Sequence, residues 1–214
     1  MNTVAVDEFF SKIAPMAETC PPFVVRSAVV NTVADICKQT ALLTARATLT
    51  TKKDEYEYRI PTQTDLVPLF VRGAYCDGQR IEPIHYDELE LVYGTGDPAN
   101  AKGRPCFFAN RRPDWLLLSP CPDKEYQIDL DLTLSTSRAP TIKSIPDVFF
   151  NYYLDTVVFG SLARIYRVAG QAYTNVRLAD EYDMRFVAGL KEIKHDASRE
   201  FTRSSGHIPF RRII

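Results

Sequence analysis

The sequence predicts an α+β fold: a helical bundle built from N- and C-terminal helices, with an inserted antiparallel β domain and an extended C-terminal tail. Three observations point there. Apolar residues recur at spacings of three and four near both ends, which is the helical period. Between residues 44 and 144 the pattern changes to alternation, rich in β-branched and aromatic residues and broken by Pro and Gly. The closing stretch, Thr202 to Ile214, follows neither period. The chain has 214 residues, 45% of them hydrophobic and 25% charged, the balance of a globular protein. The expected organisation is therefore N-terminal helices over 1–43, the β insert over 44–144, C-terminal helices over 145–201 and the tail over 202–214.

Val4 to Ala14 reads as a short amphipathic helix with Phe9, Phe10 and Ile13 on one side. Pro21 and Pro22 interrupt it. Pro is accepted in the first turn of a helix, so a second helix starts near Pro22 and runs to about Leu43. Val25, Val29, Val33 and Ile36 line one of its faces; Arg26, Asn31, Asp35 and Lys38 belong to the other.

In the middle, Ala47 to Thr51 and Glu55 to Ile60 alternate as strands do. Val67 to Tyr75 follows, and Asp77-Gly78 is a strong hairpin signal with Arg80 to Ile84 as the return strand. Tyr86 to Leu91 reads as a short helix, and Gly94 to Gly103 as an exposed loop. Pro105 to Ala109, Trp115 to Ser119 and Tyr126 to Ser135 are further strands, with Pro113, Pro120 and Pro122 at their ends. In the last of them Ile128, Leu130, Leu132 and Leu134 face one way. Gln127, Asp129, Asp131 and Thr133 face the other, as on a sheet with one wet side. Hairpin-length connections imply antiparallel pairing.

Ser144-Ile145-Pro146-Asp147 opens the helical third. Val148 to Val168 reads as one long apolar helix ended by Gly170, its small residues Gly160, Ser161 and Ala163 allowing close approach of another helix. Asn175 to Glu200 is the final helix. Its row Tyr182, Phe186, Leu190, Ile193, Ala197 and Phe201 faces the core.

Several functions are disfavoured. Lys and Arg total 26 and Asp and Glu total 27, for a net charge of −1, which argues against a basic nucleic-acid binder. No apolar run approaches the roughly 18 residues a membrane span needs, and Met1 to Lys12 lacks the features of a signal peptide. Five Cys, an odd number without a CxxC pair, read as reduced thiols rather than a disulfide framework or zinc site. His85, His195 and His207 lie in no HExxH arrangement, and no GxSxG occurs. Gly94-Thr95-Gly96-Asp97 resembles a phosphate cradle only faintly and reads as a turn. Asp129 and Asp131 could share a cation, but no loop of oxygen ligands surrounds them. No catalytic, cofactor or metal site is assigned.

The remaining candidates are surfaces. Arg111-Arg112, and Arg138 with Lys143, are small basic clusters suited to a solvated loop or a negative partner. The tail is different: Arg203, Arg211 and Arg212 occur without an acid, beside Phe210, Ile213 and Ile214. Large apolar side chains left in water forgo about 1.5–3 kcal/mol each. Segments of this mix fold on binding a partner.

Certain stretches resemble a known family. They are Val24-Val25-Arg26-Ser27-Ala28-Val29-Val30-Asn31-Thr32-Val33-Ala34-Asp35-Ile36-Cys37-Lys38-Gln39-Thr40, Gly103-Arg104-Pro105-Cys106-Phe107-Phe108, Leu116 to Asp123, Ile145 to Phe150, and Asp155 to Ile165. With the order of parts, over about residues 22–200, they resemble the bacteriophage head-to-tail adaptors, also called connectors, which include tail tubular protein A of some short-tailed phages. The resemblance implies a structural, non-enzymatic virion protein without cofactor, made in the host cytoplasm and placed at the head–tail interface. Its partners would be the portal protein, further copies of itself in a homo-oligomeric ring (usually of twelve), the next tail component (nozzle or tail tube), and genomic DNA passing through the lumen without sequence-specific binding. A mildly acidic body with a basic end suits a channel for a polyanion, since dense Lys and Arg would hold it. Because family members grip the portal by chain ends, the resemblance makes Phe210, Arg211, Arg212, Ile213 and Ile214 the portal-docking candidates. The alternatives are a tail completion or tube-terminating protein without portal contact, a phage-encoded hydrolase, and a bacterial binding module.

Overall fold

The computed structural model describes residues 2–88, 101–139 and 141–199. The chain is mixed α+β, with helices from both ends set against a large curled sheet.

The N-terminal stretch is not one helix. Thr3–Ala5 forms strand β1, Val6–Phe9 a single 3₁₀ turn, and Phe10–Ile13 a single turn, α1. The backbone around Val4 pairs instead with Ile145. The expected apolar side still points inward, since Phe9 and Ile13 are fully buried together with Val6.

Helix α2, Pro22–Thr40, starts where the prolines place it, with extended Pro21 before it and Pro22 in its first turn. Val25, Val29, Val33 and Ile36 are buried on it. It stops three residues short of Leu43. Ala41 turns left-handed at φ 53°, its N–H donating to the Cys37 carbonyl at 2.9 Å. The side chain carries no signal for this, because glycine is the residue that usually takes that position.

The next strands are β2 (Leu43–Thr50), β3 (Glu57–Arg59), β4 (Leu66–Cys76) and β5 (Gln79–Pro83). Asp77 and Gly78 both have positive φ, 48° and 77°, so the β4–β5 hairpin turns as the Asp-Gly pair demands. Residues 86–88 are helical; the rest of the expected Tyr86 to Leu91 helix, and most of the expected loop from Gly94, lie outside the described residues. Then come β6 (Lys102–Gly103), β7 (Phe107–Arg112), β8 (Trp115–Ser119), β9 (Cys121–Pro122) and β10 (Gln127–Thr136). Seven of these form one sheet in the order β2-β10-β4-β5-β7-β8-β3.

Pairing is not antiparallel throughout. β5 runs parallel to β7, and β6 to β9. The chain between Pro83 and Phe107 is long enough to make the crossover that a parallel pair requires. A second departure concerns β10. Ile128, Leu130, Leu132 and Leu134 are buried as expected, but so is Thr133 on the supposedly wet side. Ser135, on the same side, donates from Oγ to the Ala34 carbonyl at 3.4 Å, so α2 covers that end of the strand. Only the first half of β10 has a wet face.

Strand β11, Ser144–Pro146, closes on β1 and ties the return of the chain to its start. The long helix expected over Val148 to Val168 is two helices, α3 (Val148–Asn151) and α4 (Leu154–Tyr166). The break falls at Tyr152 and Tyr153, after Asn151, all weak helix formers. Gly170, at φ 74°, lies in the turn after α4 rather than at its last residue. Helix α5 spans Val176–Ser198, and the Asn175 side chain caps it by accepting from the Leu178 N–H at 3.1 Å. Phe186, Leu190 and Ile193 of its expected row are buried and Tyr182 and Ala197 partly so, while Phe201, like the expected helix end Glu200, lies outside the described residues.

Helices α2, α4 and α5 pack on one another, and α2 also rests on β10. One contiguous apolar cluster runs from Val6 through both helices and sheet to Ile193.

Candidate functional site

The helical layer is held by close approach and by one polar seam. Gly160 of α4 faces α2 and α5 together: a Cβ there would fall 2.6 Å from Thr32 Cγ2 and 2.7 Å from the Phe186 ring. The sequence marks Gly160 as a point of approach, and the structure shows against what. Beside it, Arg164 donates from Nη1 to Thr32 Oγ1 and to the Gly160 carbonyl, both at 2.9 Å. Its other nitrogen pairs with Asp35 of α2, which also receives Arg138 from the segment after β10. The guanidinium lies 5.6 Å from the Phe186 ring centroid. Arg164 thus joins α2, α4 and α5, while Asp35 draws in the sheet.

Outside this seam lie apolar surfaces that the fold does not cover. Val176, Met184 and Val187 fall on one outward face of α5 and are 62%, 69% and 44% exposed. Phe23 at the start of α2 is exposed, as is Tyr152 in the α3–α4 break. The break opens a cleft against the end of α5, enclosing about 860 Å³. There the Tyr153 hydroxyl donates to Asp196 at 3.3 Å. Burial, and then the Asp196 and Glu192 carboxylates, push this phenol up to about 12. Surfaces of this kind serve contacts between proteins.

The sequence-derived candidates scatter. Phe210, Arg211, Arg212, Ile213 and Ile214 lie outside the described residues, as do Arg203 and His207. Arg111 sits over the Tyr86 ring and Arg112 over Trp115, with Arg112 also 3.8 Å from Asp114. Arg138 is taken up by Asp35. Asp131 pairs with Arg46 at 3.0 Å, and Asp129 accepts from Thr48 at 2.7 Å and Gln127 at 3.2 Å. Each aspartate thus has its own neighbour on the sheet face. His195 is exposed at the cleft, Nδ1 3.8 Å from Asp196. None of the five cysteines is in a disulfide, and Cys106 alone is exposed. Among the described residues, no group of three or more His, Cys, Asp or Glu converges as metal ligands would, and no helix is long and apolar enough to cross a membrane.

Sequence reasoning missed Gly189, whose Cβ would collide with Thr156, and the Tyr152 cleft. A glycine inside a long amphipathic helix was the available signal for the first, since that position favours Ala. Nothing local announces the second.

A search of curated proteins finds no match. A family model does match, that of the SU10 adaptor protein, over residues 16–209. The match takes in α2, the whole seven-stranded sheet and α3 to α5, leaving out β1, the 3₁₀ turn, α1 and the last five residues. With nine-tenths of its length covered, and with the mixed helical and sheet fold that the adaptor resemblance implies, the chain belongs to the SU10 adaptor protein family of bacteriophage adaptors.

Proposed function

We propose that this chain is the head-to-tail adaptor that binds the phage portal as a ring of about twelve copies, extends the DNA channel and offers the attachment surface for the next tail component. The observation that carries the reading is the family match over residues 16–209, which supports a structural role among virion components. The fold supports it physically. A main core shared by helices and sheet gives a stiff subunit. The uncovered face of α5 bearing Val176, Met184 and Val187 gives a surface for neighbouring copies. In this reading the helices of 1–43 and 145–201 are the frame, and the 44–144 insert is the part that the ring presents. DNA passes the lumen without sequence-specific contact.

Phe210, Arg211, Arg212, Ile213 and Ile214 are the proposed portal anchor. Their guanidinium groups suit carboxylates and their apolar side chains suit crevices. They follow the last matched residue, 209, so this anchor is a feature of the chain rather than of the matched family segment. The test is co-sedimentation of the full chain, and of a chain lacking Gly206 to Ile214, with purified portal rings, with images of the pelleted particles. Rings on the portal with the full chain and loss of binding on truncation are expected. Undiminished binding of the truncated chain removes the tail from the reading; no binding by the full chain removes the portal.

A further inference from the structure

The cleft at the α3–α4 break carries three carboxylates, Asp155, Glu192 and Asp196, around the exposed ring of Tyr152. Asp155 and Glu192 enter no ion pair with the described residues, and Arg199 is the cleft's one permanently cationic side chain among those described. The Tyr153 phenol, raised first by burial, is raised further by Asp196 and Glu192, which face it from α5. Tyr152 is 76% exposed, the most exposed large apolar side chain described. A cleft of this chemistry suits a peptide that brings guanidinium groups and apolar side chains together.

The chain itself supplies such a peptide. After Glu200 it contains Arg203, Arg211 and Arg212 with no acid, and Phe210 and Ile213 beside them. These residues lie outside the described ones, but the segment leaves from Arg199, which lines the cleft. Fifteen residues follow Arg199, enough for about 50 Å of extended chain. Ser204-Ser205-Gly206 near the middle is turn-forming composition, so the second half can come back to where the first half left. We propose that this cleft is the docking site of the chain's own C-terminal segment, residues 203–214, in the unassembled protein. Arg211 and Arg212 meet Asp155 and Glu192, and Phe210 lies on Tyr152. The covalent tether gives the segment a local concentration on the order of millimolar, so binding needs little intrinsic affinity.

A second groove lies nearby, where Lys194 and Ser198 of α5 meet β2 and β10, and it discriminates by charge. It is lined by Arg46, Arg72, Arg80 and Lys194 against Asp131 and would repel the same segment. If the portal reading is right, one segment has two destinations, and leaving the cleft is a step of assembly. Occupancy of the cleft does not depend on that reading and is measured on the isolated chain.

The experiment is limited chymotrypsin cleavage after Phe210 in the dilute full-length chain, followed by mass spectrometry. Cleavage tracks the open population of the segment. The triple variant Asp155→Asn, Glu192→Gln, Asp196→Asn should be cut at least about fivefold faster than the wild type, at a rate independent of protein concentration. Tyr152→Ser, at a position too exposed to affect folding, should be cut at an intermediate rate, and Arg211→Gln should be cut faster than the wild type. Equal rates across the correctly folded variants overturn the proposal. Protection that vanishes on dilution assigns the segment to another copy's cleft and overturns docking within one chain. Portal co-sedimentation of the same samples separates the two readings: the cleft variants keep portal binding if the segment anchors there, whatever their cleavage rates.

Discussion

Thr156 of α4 occupies the space that a side chain on Gly189 of α5 would need. A Cβ at Gly189 would fall 2.8 Å from Thr156 Cγ2 and closer still to its Oγ1. Threonine is β-branched, and even its Cβ would lie only 3.1 Å away, so a change of χ1 does not clear the space. Gly189→Ala should therefore destabilise the protein despite its gain in helix propensity, by about 1–3 kcal/mol. Melting should show a fall of several degrees, and Thr156→Ala in the same chain should recover part of it because the two changes share one contact. A melting temperature unchanged or raised by Gly189→Ala would contradict the packing described.

Asp35 holds two guanidinium groups at once, those of Arg164 and Arg138, and its side chain is 27% exposed. Asp35→Asn leaves both cations facing a neutral amide in a partly covered place and should cost about 1–3 kcal/mol. Asp7→Asn breaks the pair with Arg26, where the carboxylate is 60% exposed, and should cost no more than about 1 kcal/mol. Denaturant midpoints at constant slope give both values. The ratio matters more than either number: comparable losses would mean that the seam is no more than a surface ion pair.

The seam also shows what the residues disclosed and what they withheld. The valines of α2, the leucines of β10 and the Asp77-Gly78 turn were legible because each pattern is local and is decided by one face or one pair of dihedrals. The early end of α2 was not, because Ala41 takes a left-handed conformation without the usual glycine. The α3–α4 break was hidden by an apolar pattern that continues across it, while the pairing of β5 with β7 depends on a partner more than twenty residues away. Thr133 looked wet because its neighbours Asp129 and Asp131 are; only the passage of α2 over that end of β10 buries it. As for the candidate surfaces, Gly160 could be singled out by its size, but the Tyr152 cleft is made by two helices distant in sequence.

On the wet half of β10, Asp129 accepts hydrogen bonds from Thr48 and Gln127, which hold its carboxyl below the usual carboxylate range. The charged form is the one favoured in the fold. Its contribution to stability is therefore present above the ordinary aspartate pKa and is lost as pH falls through the lower, folded-state value. Thr48→Val removes the larger cause. Carboxyl carbon shifts followed by NMR between about pH 2 and 6 should show Asp129 titrating higher in the variant than in the wild type. Coincident titration curves would mean that Thr48 does not bond the carboxylate in solution.

The thiols offer a test of the burial pattern as a whole. Cys37 is fully buried on the core side of α2, and burial pushes its thiol up to about 11, so at pH 8 only about one molecule in a thousand carries the reactive thiolate. Burial raises the thiols of Cys20 and Cys76 as well. Cys106 is exposed on the segment leading into β7. A disulfide reagent at pH 8 should therefore label one thiol quickly in the folded chain, none quickly in Cys106→Ser, and all five of the wild type in denaturant. The slow labelling of the others then measures opening of the core, because a buried thiol reacts only when its cover lifts. Fast labelling of a second thiol in native conditions would show that one of the helices shielding Cys20 or Cys37 is not seated as described.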